Sequence, residues 1–259
     1  MSRRNPLALH FKKLGASRAY REERGEFLCD GMKLLEDAVK SGAEITAVLA
    51  ASPCPYPLSA GTREFLAERE LINSVSPLKN AQDTLFACKI PLRQVLPDIT
   101  GTSILLDGVQ DPGNVGAIVR TANAFGIGSI FLTGDCADPY NPKSIRASMG
   151  AIFRQDIFHI SLPELAALRD TGAMIIGAGL WEGYRDIRDI DLGNSIIAIG
   201  SEGNGLSEGV LGLCSERIGI PIAPHSESLN AAAAAAIIIW EARVRMRNAE
   251  FGIQNRRYE

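Results

Sequence analysis

The sequence predicts an α/β protein in which a small N-terminal α/β unit precedes a larger domain built on a parallel sheet. Its 259 residues exceed one typical domain, and a composition of 46 % apolar and 22 % charged residues is that of a chain able to bury a core. After residue 103, short apolar runs occur at 104–109, 129–132, 173–178 and 196–200, with helix-like segments between most of them. Such runs are typical of a parallel sheet covered on both faces.

The first 95 residues are predicted to form the small unit, with elements placed by the spacing of apolar residues. In chain order these are a helix around 7–14, a strand at 26–29, a helix at 31–40, a strand at 45–51, a helix at 61–68, and strands at 71–75 and 85–90. Pro97 and Gly101 favour a linker at 96–102, which leaves 103–259 for the second domain.

The second domain is predicted to end in a helix from about 228 to 247 whose first half is apolar on every face. This helix offers more hydrophobic surface than one small domain readily covers, so we expect a homodimer. The uncharged apolar stretch at 231–240 is about half the length of a membrane span, so no membrane partner is expected.

Charge is unevenly distributed along the chain, although the net charge is only −3. Residues 1–24 hold seven basic and two acidic side chains, whereas residues 96–240 hold eight basic and sixteen acidic ones. Basic ends around an acidic middle suit a polyanion touched at selected places; the alternative is a pair of solvated helical faces. The five cysteines form no CxxC pair, which fits a reducing cytoplasm, and the three histidines have no metal-ligand spacing.

Three segments carry the candidate site residues, and the first two of them contain glycines and follow predicted strands. The first, 107–116, leads into a helix on which Arg120 lies one turn after Gly116, well placed to meet an anion or a sugar hydroxyl. The second, 200–206, places Glu202 at the carboxyl end of a strand, where ligands of open α/β sheets bind. Locally, a surface arginine and a helix-capping acid remain open alternatives.

The third segment, 220–230, leads into the C-terminal helix. Ser228 is a natural N-cap there, and Asn230 falls inside the predicted helix, where an amide beside apolar residues needs a partner. A nicotinamide-dependent oxidoreductase is a further alternative, but the GxxGxG spacing of the second segment differs from the GxGxxG dinucleotide fingerprint and argues against it.

Taken together, the segments resemble the three motifs of the SpoU-type RNA ribose 2′-O-methyltransferases of the SPOUT superfamily. The first motif is matched by DPGNVGAIVRTANAFG, the second by IGSEGNGLS, and the third by IPI followed by SLN. The front of the chain, NPLALHFKKL and REERGEFLCDGMKLLEDAV, resembles the ribosomal-protein-like substrate-binding domain that many of these enzymes carry.

The resemblance implies a homodimeric, cytoplasmic enzyme that binds S-adenosylmethionine in a trefoil-knotted C-terminal domain and methylates RNA without a metal. Ribosomal RNA is favoured over transfer RNA by the additional front domain, and a non-catalytic RNA-binding protein of the same fold is the rival from another class. By motif position, the implied catalytic residues are Asn114, Arg120, Glu202, Ser228 and Asn230. The implied cofactor-binding residues are Ala178, Gly179, Gly200, Ile220 and Leu229.

The chemistry expected of these residues is an in-line methyl transfer to a weak nucleophile, in which positioning does much of the work. The family gives the arginine a base-like role. A guanidinium almost never loses its proton, so we expect Arg120 to stabilise the developing alkoxide electrostatically. Two departures from the family pattern are Ala231-Ala232-Ala233 in place of Val-Ser-Val after the third motif, and Asp30 in place of a glutamate before Gly31.

Overall fold

The computed structural model describes residues 5–79, 81–92, 95–181 and 183–250, with side chains described up to residue 244. The first elements in the chain are α1 (Pro6–Ala16), α2 (Arg18–Arg24), β1 (Glu26–Asp30), α3 (Met32–Lys40), β2 (Ile45–Ala50), β3 (Arg63–Leu66), α4 (Arg69–Val75) and β4 (Thr84–Lys89). They are followed by β5 (Thr102–Asp107), α5 (Pro112–Phe125), β6 (Ser129–Thr133), α6 (Pro142–Ser148), β7 (Asp156–His159), α7 (Leu162–Asp170) and β8 (Met174–Ala178). The last are β9 (Arg185–Asp186), β10 (Ser195–Gly200), α8 (Glu208–Leu211), β11 (Glu216–Gly219) and α9 (Ala231–Glu250).

The chain divides into two compact units, and each contains its own sheet. One unit comprises Met1–Leu92 with Asp138–Arg154, and the other comprises Arg93–Ala137 with Gln155–Glu259. Leu96 and Ile99, which lie in the predicted linker, pack against the apolar core of the second unit.

The sheet of the first unit has the strand order β1-β4-β2-β3, with antiparallel pairs except for the parallel pair β2–β3. Its core residues come from α1, α4 and the strands, and the fully buried ones include Phe11, Leu14, Leu49, Ile72 and Leu85. This mixed α/β architecture agrees with the small unit predicted from the sequence.

The segment between residues 61 and 75 corrects two sequence predictions. The predicted helix at 61–68 contains strand β3, which pairs with Ala47–Ala50 at the edge of the sheet. The predicted strand at 71–75 lies instead in helix α4, because Leu71, Ile72 and Val75 have helical spacing and all three are buried on one face.

Residues 138–154, which separate β6 from β7 in the sequence, are built into the first unit. The Arg21 side chain is only 3 % exposed, and its Nη2 lies 2.6 Å from Oδ2 of Asp138. Its Nη1 also donates to the carbonyl oxygen of Leu14 at 2.6 Å. The ring of Phe27 packs against Tyr140 and Phe153, with centroids 4.9 and 6.1 Å apart. The buried ion pair and the ring contacts therefore hold this segment on α2 and β1.

The second unit contains a parallel sheet of seven strands in the order β7-β6-β5-β10-β8-β11-β9. All pairs in this sheet are parallel, as the apolar runs predicted. The four runs became β5, β6, β8 and β10, which are buried along most of their length. The short strands β7, β9 and β11 lacked so clear a pattern and were not predicted.

Helices α5 and α9 run side by side in the same direction. Asn114 and Asn230 are hydrogen-bonded at their N-terminal ends, and the rings of Phe125 and Trp240 meet edge-on, with centroids 5.6 Å apart, eleven and ten residues later. None of the described helices has the length and apolar character needed to cross a membrane. The described residues also contain no cluster of side chains able to hold a metal ion.

Candidate active site

A cavity of about 200 Å³ lies at the carboxyl ends of β8, β10 and β11 in the second unit. The register places Ala178 of β8 beside Ile199 of β10 and Ile218 of β11, so the three strands end at one edge. Loops leaving this edge form the walls of the cavity. In open parallel sheets, this edge is where ligands bind.

The cavity brings together every residue that the sequence assigned to the cofactor. Its lining residues are Ala178, Gly179, Leu180, Ile199, Gly200, Ser201, Glu202, Gly205, Ile218, Gly219, Ile220, Ile222, Glu227, Ser228, Leu229, Ala231, Ala234 and Ile238. The five predicted positions come from three segments that are far apart in the chain. Parallel strands explain their convergence, because the residues that follow each strand emerge at the same edge.

Glycines allow the loops around the cavity to fold closely. A Cβ on Gly200 would lie 2.1 Å from the carbonyl carbon of Gly205, so the second glycine-bearing loop packs directly on the end of β10. A Cβ on Gly179 would lie 2.7 Å from the ring of Trp181, and one on Gly219 would lie 2.3 Å from the ring of Tyr184. Only glycine fits at these three positions without a shift of the neighbouring atoms.

Three of the predicted catalytic residues form one hydrogen-bonded chain. The side-chain amide of Asn114 donates to Oε1 of Glu202, and Nδ2 of Asn230 donates to Oδ1 of Asn114 at 3.1 Å. Glu202 lines the cavity, so this chain leads from the N-terminus of α9 to the cavity wall. The arrangement fixes the orientation of both amides, as a site that positions a hydroxyl group requires.

The position of Asn114 corrects the predicted start of its helix. The helical spacing in the sequence began at Val115, but α5 begins at Pro112, and Oδ1 of Asp111 accepts the backbone N–H of Asn114 at 2.9 Å. An aspartate N-cap followed by proline at the first helical position is a helix-start signal that the sequence already contained.

Helix α9 also begins later than predicted, which changes the roles expected of Ser228 and Asn230. The helix starts at Ala231, and Oδ1 of Asn230 accepts the backbone N–H groups of Ala232 and Ala233 at 3.0 and 3.3 Å. Asn230 is therefore the capping residue, rather than a residue inside the helix. Ser228 is not the N-cap; it is exposed and lines the cavity.

Arg120 stands apart from the other predicted catalytic residues. It is exposed on α5 and does not line the cavity, and no residue that the structure describes forms an ion pair or hydrogen bond with it. It lies six positions after Asn114, a rise of about 9 Å along the helix. Its guanidinium is thus available to a ligand outside the cavity.

The cavity has an acidic and apolar character. Glu202 and Glu227 line it, and none of its described lining residues is a lysine or arginine. Cys214 does not line the cavity but lies against β8, where its Sγ would be 3.1 Å from a Cβ on Gly177. Burial raises the pKa of this thiol to about 11, so it is neutral at physiological pH. The site therefore suits a ligand that carries positive charge and an apolar or aromatic part.

Sequence reasoning missed Glu227 and Ile222 as lining residues. Both lie in the third segment, 220–230, where the motif directs attention to the residues at its two ends. The signal for them is positional: side chains in a loop that connects a strand end to a helix start face the ligand edge of a parallel sheet.

Residues 101–240 match the family model described as the SpoU rRNA Methylase family. A 23S rRNA (guanosine(2553)-2′-O)-methyltransferase of Bacillus subtilis is 29 % identical over 248 residues, covering 93 % of this chain and 98 % of the relative. A 23S rRNA (uridine(2479)-2′-O)-methyltransferase of Streptomyces viridochromogenes is 31 % identical, covering 92 % and 90 %. Among solved structures, the SpoU methyltransferase AviRb of S. viridochromogenes in complex with AdoMet matches with a TM-score of 0.81 and 27 % identity, covering 94 % of this chain and 99 % of AviRb.

Proposed function

The chain belongs to the SpoU rRNA methylase family, and on that premise we propose that it transfers a methyl group from S-adenosylmethionine to a ribose 2′-hydroxyl of ribosomal RNA. The observation that carries the proposal is the cavity at the carboxyl ends of β8, β10 and β11, which all five predicted cofactor positions line. The hydrogen-bonded chain of Asn230, Asn114 and Glu202 ends at its wall.

The lining of the cavity fits S-adenosylmethionine by the chemistry of its groups. The cofactor carries a positively charged sulfonium, which Glu202 and Glu227 would stabilise, and isoleucines such as Ile220 and Ile238 offer an apolar surface to an adenine ring. We propose that Ala178, Gly179, Gly200, Ile220 and Leu229 hold the cofactor. When bound, S-adenosylmethionine supplies an electrophilic methyl group.

We assign the catalytic roles to residues around this cavity. Arg120, exposed and without a partner among the described residues, would hold a phosphate or the 2′-oxygen and favour negative charge on that oxygen. Asn114 and Asn230 would orient the ribose, and Glu202 would hold the amide of Asn114. Ser228 lies at the cavity lining, where its hydroxyl can donate to either substrate. The acceptor of the hydroxyl proton is not assigned.

The relatives support ribosomal over transfer RNA as the substrate. Two of them are named as 23S rRNA 2′-O-methyltransferases and are matched along more than nine-tenths of this chain. RNA capture is assigned mainly to the domain at 1–95, in which basic residues before position 25 carry most of the charge surplus. Action on ribosomal RNA would place the protein in the cytoplasm.

A homodimer is proposed from the exposed face of α9. Ile237 and Trp240 are 41 % and 55 % exposed, three residues apart on one side of the helix, next to the ring of Phe125. Large apolar side chains grouped on a surface mark an interaction site, and a second copy of α9 would cover them. Sedimentation of the wild type as a dimer and of Trp240→Glu as a folded monomer is expected; a wild-type monomer at micromolar concentration would contradict the proposal.

The trefoil knot implied by the family is also a proposal. Its support is the order in which strands enter the sheet: β10 inserts between β5 and β8, and β11 inserts between β8 and β9, before the chain reaches α9. Such returns into the interior of a sheet are uncommon, and a knot in this region would fold the loops of the second and third motifs around one another.

The proposed function is tested by incubating the purified protein with isotopically labelled S-adenosylmethionine and ribosomal RNA, followed by nucleoside analysis. We expect label in a 2′-O-methylnucleoside and none in a base. An RNA that is bound but never labelled, with no cofactor binding by calorimetry, would favour the non-catalytic RNA-binding alternative. Label recovered only in transfer RNA would refute the assignment to ribosomal RNA.

A further inference from the structure

Asp107 is a buried carboxylate at the end of β5 that the proposed mechanism does not use. It is 5 % exposed and lies beside Gly200 in the parallel register. No residue in the described part of the chain forms an ion pair with it. A buried carboxylate without a cation is unfavourable unless hydrogen bonds hold it in place.

The partner of Asp107 is the far end of the second glycine-bearing loop. The backbone N–H of Ser207 donates to Oδ2 of Asp107 at 2.6 Å, a short, charge-assisted hydrogen bond. Space for the other carboxylate oxygen is left by Gly134, where a Cβ would lie 3.2 Å from Oδ1. The backbone around Asp107 is thus shaped to accommodate an acidic side chain.

The loop held in this way carries part of the cavity wall. It is closed by two hydrogen bonds of 3.0 Å between the backbones of Ser201 and Gly205, and it presents Glu202 to Asn114. Its first end continues from β10, whereas its second end is attached to the sheet through the hydrogen bond from Ser207 to Asp107. Loss of that bond would release the loop on the side of Glu202 and Gly205.

We propose that Asp107 is a positioning residue for methyl transfer: its carboxylate clamps the 201–207 loop and thereby sets the cavity wall and the contact between Glu202 and Asn114. The inference rests on the proposed function, because the position of this loop affects catalysis only if the cavity takes the cofactor. Asp107 itself need not contact cofactor or RNA.

The test compares Asp107→Ala with Asp107→Asn in the full chain. The asparagine carbonyl can still accept the Ser207 N–H, whereas alanine cannot. For Asp107→Ala we expect faster hydrogen exchange of the 201–207 amides without any ligand, and cofactor affinity lower by about tenfold. Single-turnover methylation at saturating cofactor should fall by roughly 10²-fold, as misplaced groups cause. Asp107→Asn should recover most of all three quantities.

A matched control is Asp191→Ala, since Oδ1 of Asp191 accepts the backbone N–H of Gly193 at 2.9 Å in an exposed loop. It should leave all three quantities near wild type. If Asp107→Ala does not fold, Ser207→Pro removes the donor at a φ of −65° that proline accepts, and Ser207→Ala keeps the donor while losing the cap. The proline variant alone should then show the exchange and activity defects.

Two results would overturn the clamp. One is a folded Asp107→Ala, or Ser207→Pro in its place, with wild-type exchange, cofactor affinity and methylation rate. The other is an Asp107→Asn variant as impaired as Asp107→Ala. That result would show that the negative charge of Asp107, and not its hydrogen bond with Ser207, positions the loop. If the wild type neither binds S-adenosylmethionine nor methylates RNA, the proposed function fails, and the exchange comparison without ligand still decides on the clamp.

Discussion

Gly200→Ala is expected to damage the cofactor cavity through steric overlap alone. The added Cβ would lie 2.1 Å from the carbonyl carbon and 2.2 Å from the carbonyl oxygen of Gly205, and 2.4 Å from the backbone nitrogen of Leu206. Favourable contacts between such atoms begin near 3.5 Å, so the loop must move by more than about 1 Å. Overpacking against backbone costs about 3 kcal/mol, the upper end of its usual range, which would lower the Tm by about 6–12 °C in a chain of this size.

The matched control for Gly200→Ala is Gly203→Ala in the same loop, where a Cβ would meet nothing within 4 Å. Thermal unfolding and calorimetric titration with S-adenosylmethionine measure both variants. We expect Gly200→Ala to lose at least about tenfold in cofactor affinity, and Gly203→Ala to keep the wild-type value within about twofold. Wild-type affinity and Tm in Gly200→Ala would refute the reasoning that this glycine is required by its contact with Gly205.

Three further predictions concern charge and protonation. Arg21→Met should destabilise the first unit by about 3–5 kcal/mol by unfolding measurements, because Asp138 then remains buried without its cation; a loss below about 1 kcal/mol would contradict this. Arg120→Ala should keep the wild-type Tm and cofactor affinity and lose about 10²-fold in single-turnover methylation; a wild-type rate would make it an ordinary surface arginine. The raised pKa of Cys214, about 11 against 9.0, adds stability that is full below pH 9 and lost as pH rises to 11. Denaturation of wild type and Cys214→Ala should therefore converge across this window by about 1 kcal/mol, allowing for part exposure, and parallel curves would argue against it.

Much of the second unit could be predicted because local pattern and topology agree there. Buried parallel strands produce continuous apolar runs, and the edge where such strands end gathers loops that are distant in sequence. Ala178, Gly200 and Ile220, which the family resemblance assigned to the cofactor, line one cavity at this edge. The short strands β9 and β11 escaped because two to four residues carry too little periodicity to recognise.

The remaining errors come from interactions that no local pattern contains. Arg21 and Asp138 are 117 residues apart, and their buried ion pair joins 138–154 to the first unit although the sequence gives no boundary at that position. Asn230 was taken for an interior helix residue because Ser228 offers a natural N-cap two residues earlier, which set the predicted helix start too early. Its side chain instead caps the helix and reaches Asn114, a contact that depends on α5 and α9 lying side by side.

The exposed position of Arg120 could be predicted from the spacing of apolar residues along its helix. The helical spacing placed it on the face opposite the buried residues of its helix, and the structure leaves it exposed and outside the hydrogen bonds that join Asn114, Glu202 and Asn230. Arg120 does not line the cavity, and we therefore assign cofactor binding and hydroxyl activation to different residues.

The most direct test of the central claim is a map of 2′-O-methylated nucleotides in total RNA from cells with and without this gene. The proposed function predicts that one ribosomal RNA ribose methylation disappears with the gene and returns with the wild-type copy, but not with a copy carrying Arg120→Ala. An unchanged ribosomal RNA map, or a lost mark that lies on a base or in transfer RNA, would contradict it.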